Sequence, residues 1–174
     1  MRKLLRIAGG ILGCLLVAVV FLRVVGLDPN DRYPGFWMRG ELETAPVTDW
    51  SFAKQIKGLT GVQTHEYFLP ILAHSVNVTP HYDGTEAYLY SLYPAGVLFP
   101  EGRHWNRNFV HDPRVRLKIG NKLYDRTLVK ITDPVEHDKL LATWGGGSFA
   151  PGFYLHIFHV VPNDQAPNDS HATQ

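Results

Sequence analysis

Arg103, His104, Trp105 and Asn108 sit together at the start of a short helical pattern, His104 to His111, which ends at Asp112-Pro113. A helix start offers free N–H groups and the positive end of a dipole, so an anion such as a phosphate fits there. Arg103 can add a bidentate contact to the same group. The plainer reading makes Arg103 a surface residue, Trp105 core and Asn108 a backbone cap. A second set lies upstream. Ser75, Asn77 and Thr79 alternate with His74, Val76 and Val78, and Ser91 falls on the run that follows. A row of small hydroxyl and amide groups can hydrogen-bond the edge of a flavin ring. Polar alternation is also the ordinary mark of a solvated strand face.

Nine histidines invite a metal reading, yet their spacing does not support one. There is no i,i+4 pair on a convincing helix and no His-Glu-x-x-His run. His156 and His159 are an odd number apart, which puts them on opposite faces of a strand. The sequence therefore assigns no metal site, although some of these imidazoles could converge in three dimensions. Cys14 is the only cysteine and lies in the apolar N-terminal run, which leaves no thiol nucleophile and no Cys-based zinc site. A Ser/His/Asp triad, a P-loop and paired carboxylates are missing too, so the hard chemistry of any enzyme here must come from a cofactor. Tyr82, Tyr88, Tyr90 and Tyr93 crowd one hairpin; packing explains them more simply than a substrate pocket does.

The elements that must position these residues are mostly strands. Gly61 to Phe68 is a β-type run. Ala73 to Tyr82 and Glu86 to Tyr93 form a hairpin across Asp83-Gly84. Arg114 to Ile119 and Lys122 to Thr132 form another across Gly120-Asn121. Asp133 caps a helix that has Pro134 at its first position and Glu136 three residues after the cap, and that runs to about Thr143. Gly145-Gly146-Gly147 reads as flexible, and Phe153 to Val161 is a last strand. The order β-β-β-α-β-β-α-β, with few helices, predicts a small closed barrel, because closure removes sheet edges.

The chain has 174 residues, 45% apolar and 19% charged, a globular balance that excludes disorder. Its charge is +1 overall, but Arg2, Lys3, Arg6 and Arg23 flank the N-terminal apolar run. From Asp28 on, 13 basic face 16 acidic residues, net −3, which argues against nucleic acid as a partner. Residues 7–22 carry no charge. At ~1.5 Å per residue they reach about 24 Å, and with Leu4, Leu5 and Val24 to Leu27 the stretch is long enough to span a bilayer. An uncleaved anchor is favoured over a signal peptide cleaved near Val25-Gly26, a lipoprotein modified at Cys14, and a buried core helix. The excess of N-terminal positive charge puts the N-terminus in the cytoplasm and the domain on the exoplasmic side of the inner membrane. The expected organisation is an anchor at 1–27, a linker at 28–47, a barrel at 48–162 and a flexible tail at 163–174. Tyr33, Phe36 and Trp37 in the linker are expected to dock on the domain rather than form an interfacial belt.

Residues 104–144, HWNRNFVHDPRVRLKIGNKLYDRTLVKITDPVEHDKLLATW, resemble the split-barrel flavoproteins of the pyridoxamine-phosphate-oxidase-like superfamily. They are most similar to the branch of the deazaflavin-dependent nitroreductases. The resemblance rests on Trp105, Asn108, the Asp112-Pro113-Arg114-Val115 strand start, Gly120 and Thr132-Asp133-Pro134. The hairpin HSVNVTPHYDGTEAYLYS matches the family's paired strands, so the likeness covers about 48–161. Two segments depart from the family pattern. Tyr67 to Leu72 and Tyr93 to Pro100 are uncharged where relatives carry basic residues near the cofactor phosphate.

The resemblance implies a mainly β fold, an FMN-binding-type split β-barrel with short helices, and the apolar run places one N-terminal transmembrane helix before it. It implies FMN or deazaflavin as cofactor, held by Ser75, Asn77, Thr79, Ser91, Arg103, His104, Trp105 and Asn108. It implies a homodimer with the cofactor at the two-fold interface, where Val97, Leu98 and Phe99 would be covered. The function expected is a membrane-tethered oxidoreductase reducing a small apolar or quinone-like acceptor. The alternative is a tethered module without a cofactor that binds a lipid, haem or protein partner; the two uncharged segments favour it.

Overall fold

The computed structural model describes residues 2–56, 58–144 and 152–165. It is a mainly β split barrel preceded by an apolar helix. That helix, α1 (Arg2–Val25), contains a stretch, Arg6–Val25, long and apolar enough to cross a membrane, and none of it is buried against the rest of the protein. A core helix would be covered, so the buried-helix alternative fails.

Six strands close the barrel: β2 (Thr60–His65), β3 (Ala73–Asp83), β4 (Glu86–Pro94), β5 (Arg114–Ile119), β6 (Lys122–Lys130) and β7 (Phe153–Val161). Their order is β6-β5-β2-β3-β4-β7, and β7 returns to pair with β6, so every pairing in the ring is antiparallel. A two-residue strand, β1 (Glu41–Leu42), adds to β6 in parallel. Both hairpins turn on a glycine with positive φ at the first turn position: Gly84 (φ 57) between paired Asp83 and Glu86, and Gly120 (φ 62) between paired Ile119 and Lys122. Only glycine adopts that conformation cheaply.

The barrel is filled by Val62, Val78, Leu89, Leu117, Leu128 and Phe158. A short helix, α2 (Ser51–Lys54), which strand-type patterning does not reveal, brings Ala53 to that core beside Trp50. The Trp50 ring stacks on Tyr82 at 6.0 Å. The helix α3 (His104–His111) buries Trp105, Asn106, Asn108 and Phe109, four residues on one helical face. Trp105 and Phe109 both reach Phe158, at 5.3 and 4.9 Å between rings, so α3 plugs the barrel. The helix α4 (Pro134–Thr143) starts as its residues predict, with Asp133 accepting from the Val135 N–H.

The segment expected as a linker is stitched onto the barrel. Leu27 N–H donates to Trp37 O, and Gly35 and Ser75 exchange both backbone hydrogen bonds. This adds the chain to the edge of β3 that β4, which begins pairing at Thr79, leaves open. Trp37 and Met38 are buried, while Tyr33 stays exposed, so one of the three linker aromatics docks fully. Gly35 has no room for a side chain: a Cβ would stand 2.1 Å from Leu27 O and 2.6 Å from Ser75 Oγ. Phe99, expected to be exposed, packs on the core; Leu98 beside it is 78% exposed. Asn163–Gln165 form a 3₁₀ turn, and Thr127 donates to Asn163 there. The glycines 145–147 and residues 166–174 lie outside the described residues.

Candidate functional site

The docked segment and the start of α3 form the two walls of a half-open cleft of about 480 Å³. Arg32 and Tyr33 come from the segment, His74, Val76 and Asn77 from β3, and Arg103, His104 and Trp105 from α3. Four of the eight residues singled out in the sequence therefore meet here: Asn77, Arg103, His104 and Trp105.

Arg103 is the last residue before α3 and provides no side-chain cap, so the first turn of the helix keeps open amides. Its Nη2 donates to Leu92 O at 2.9 Å, which holds the guanidinium against β4. Asn77 Nδ2 reaches Pro29 O and Asp31 O at 3.3 and 3.4 Å and so ties the opposite wall to β3. Trp105 lines the cleft yet is almost wholly buried, so it serves the core and the cleft together.

The other residues are engaged by the protein itself. Ser75 is fully buried and donates to Phe36 O at 2.7 Å. Ser91 is buried under Asn106, whose Nδ2 donates to it at 3.1 Å and to the Tyr93 hydroxyl at 2.7 Å. Asn108, also fully buried, donates from Nδ2 to Thr64 Oγ1 at 2.9 Å and accepts from the Tyr67 N–H at 3.3 Å. Thr79 begins the β3–β4 pairing, opposite Tyr90, and does not line the cleft. The reason is the burial of the inner face of α3. Polar groups carried into a core need partners there: Asn108 finds them at Thr64 and Tyr67, and the Asn106 Nδ2 finds them on β4, while the Asn106 Oδ1 has none.

Two residues outside that set complete the site. Glu66, at the end of β2, is only 8% exposed. Its carboxylate lies 2.8 Å from His104 Nε2 and 3.7 Å from His74 Nδ1. The two imidazoles meet edge to face at 4.7 Å. Burial pushes His74 below its usual value, the His104 charge adds to that, and Glu66 opposes it. The signal in the sequence was a single carboxylate, Glu66, directly before six uncharged residues. Its partner His74 alternates with the polar row on β3, and strand alternation cannot show that a loop carboxylate folds back onto it.

A second histidine cluster lies beside α4. His156 is set among Lys130, His137 and Tyr154, and the Lys130 Nζ stands 3.8 Å from the centre of the Phe99 ring. His137 is held by a 2.8 Å contact of Nε2 to Leu155 O and stacks on Tyr154. Burial, with Lys130 and then His137 adding to it, pushes the His156 imidazole down to about 4.

No family model and no curated protein matches the chain. Among solved structures it is similar to a provisionally assigned pyridoxamine 5'-phosphate oxidase from Listeria innocua, at 15% identity and a TM-score of 0.41. That likeness covers 65% of this chain and 89% of the other.

Proposed function

We propose that this chain is a membrane-tethered split-barrel protein that takes FMN or a deazaflavin in the cleft before α3 and reduces a small apolar or quinone-like acceptor. The observation that carries the reading is the cleft itself, with Arg32 and Arg103 beside the uncapped first turn of an eight-residue helix. Two guanidinium groups and free amides suit a phosphate. Tyr33 and Trp105 offer aromatic surface to a ring, and Asn77 and His104 offer polar edges. When bound, the cofactor supplies the redox chemistry; the protein's share is to grip, orient and cover it. The tether is α1, and its flanking charges favour a barrel on the exoplasmic side. A homodimer fits the exposure of Leu98, which an isologous interface would cover.

The ring-edge set supports a second reading. Ser75 and Ser91 spend their hydroxyls on Phe36 O and Asn106, which favours a tethered binding module with no redox cofactor. The visible spectrum of the purified full chain, followed by titration with FMN and then a deazaflavin, separates the two. The oxidoreductase reading expects saturable binding near ~1 μM, weakened on Arg103→Ala by about 1.5–3 kcal/mol as for a charged hydrogen bond. A colourless protein that binds neither at ~1 mM leaves the module reading.

A further inference from the structure

The floor of the cleft holds a group of side chains that the flavin reading does not use. Glu66, His74 and His104 each present one ligand atom, and these atoms all lie within 4.8 Å of one another. We propose that Glu66, His74 and His104 form a three-ligand site for a first-row divalent transition metal, with its open coordination positions facing the cleft.

The first support is the ligand set. Two imidazoles and one carboxylate are the donors of many catalytic zinc sites and of the facial-triad sites of iron. Ligands ~2.0–2.1 Å from a tetrahedral ion stand ~3.3–3.4 Å from one another. Measured to one oxygen, Glu66 Oε1, the separations are 3.0 Å for His104 Nε2 and 3.7 Å for His74 Nδ1, on either side of that value. Small side-chain rotations would admit an ion.

The second support is the direction of the opening. His74 and His104 line the cleft and Glu66 does not. An ion between them has protein behind it and the cleft in front, the arrangement of a site that keeps a position for water or a ligand. Arg32 and Arg103 in the same cleft would suit an anionic oxygen ligand at that position.

The third support is the bracing. Asn108 is hydrogen-bonded to Thr64 and to the Tyr67 N–H, the residues two before and one after Glu66. It therefore locks α3, which carries His104, against the segment that carries Glu66. Thr64 Oγ1 also lies 3.4 Å from His74 O. Three ligands from two strand ends and a helix are thus held by one buried amide and one hydroxyl. Such bracing is what a metal site demands.

The proposal does not rest on the flavin reading, because its probe is Co²⁺ alone, added to the metal-stripped full chain in detergent. The expected result is one Co²⁺ per chain, with the strong visible bands of a four- or five-coordinate ion, displaced by one equivalent of Zn²⁺. Glu66→Gln and His104→Gln should each weaken binding about 100-fold or more. His159→Gln, which alters an imidazole paired with Glu86 away from the cluster, should leave it unchanged. FMN titration of the metal-stripped chain is read separately from Co²⁺ binding, so the two readings can fail separately. Loss of binding must come with an unchanged far-UV spectrum to count. Weak, many-site binding unaffected by these changes, or none below ~1 mM, overturns the proposal. So does full binding by the near-isosteric Glu66→Gln chain, whether or not the His104 variant folds.

Discussion

Beside α3, His74 and His104 flank a buried carboxylate, Glu66. Beside α4, His156 and His137 lie next to a half-buried lysine, Lys130, and the nearest carboxylate, Asp138, is 82% exposed. Both imidazole pairs sit against strands of one barrel. Burial lowers both His74 and His156, but Glu66 opposes the shift at His74, whereas Lys130 and His137 deepen it at His156, down to about 4. The difference lies in the partner and not in the histidine. A buried carboxylate gives neighbouring imidazoles a third donor with which to share a metal, whereas a lysine over an aromatic ring gives them no such partner. Histidine count and spacing therefore say little until the neighbouring charges are placed.

The largest effect that would sharpen this contrast comes from the buried face of α3. Trp105→Ala should cost about 3–5 kcal/mol in denaturant unfolding, because the ring fills the barrel against Phe158. A cost below about 1 kcal/mol would make Trp105 a cleft residue and no more. Asn108→Ala should cost about 1–2 kcal/mol, since it removes one partner of the buried Thr64 hydroxyl and the partner of the partly buried Tyr67 N–H. It should also weaken Co²⁺ binding, though it removes no ligand.

The α4 face predicts an acid effect of known sign. The folded His156 lies near 4, below its ordinary 6.5, so between those values the unfolded chain binds more protons. Stability should be full above about pH 6.5 and fall as the pH drops toward 4. The bare shift is worth about 3 kcal/mol; partial solvent exposure of the ring reduces that to about 1–2 kcal/mol. Burial sets it first, and the charges of Lys130 and then His137 add to it. His156→Gln should flatten that limb of the stability profile, read by thermal unfolding at a series of pH values. An unchanged limb would move the acid sensitivity to another group. The smallest effect is expected at Leu98→Ser, within about 0.5 kcal/mol in stability. If the chain pairs through this loop, the same change should lower its mass in sedimentation.

Much of the barrel was legible in the sequence. The hairpins follow from alternation plus Gly84 and Gly120, and α4 follows from Asp133-Pro134. The edge contact of Gly35 with Ser75 was not legible, since a Pro- and Gly-rich stretch reads as linker wherever it lies. The cleft was half legible. Arg103 and His104 were found because a helix start concentrates polar chemistry. Ser75, Ser91 and Asn108 were read as ligand groups because the sequence cannot tell a polar residue that serves a ligand from one that serves the core. Arg32 and Glu66 were missed: Arg32 lines the cleft and Glu66 reaches His74 and His104 beside it only because distant segments fold together, which no local pattern encodes.

Long-range ¹H–¹⁵N spectra of the histidine side chains in the full chain, recorded in micelles with and without one equivalent of Zn²⁺, test the contrast most directly. The account predicts that the His74 and His104 ring signals move in slow exchange while those of His137 and His156 stay in place. Movement at His137 or His156, or no movement at His74 and His104, would contradict it.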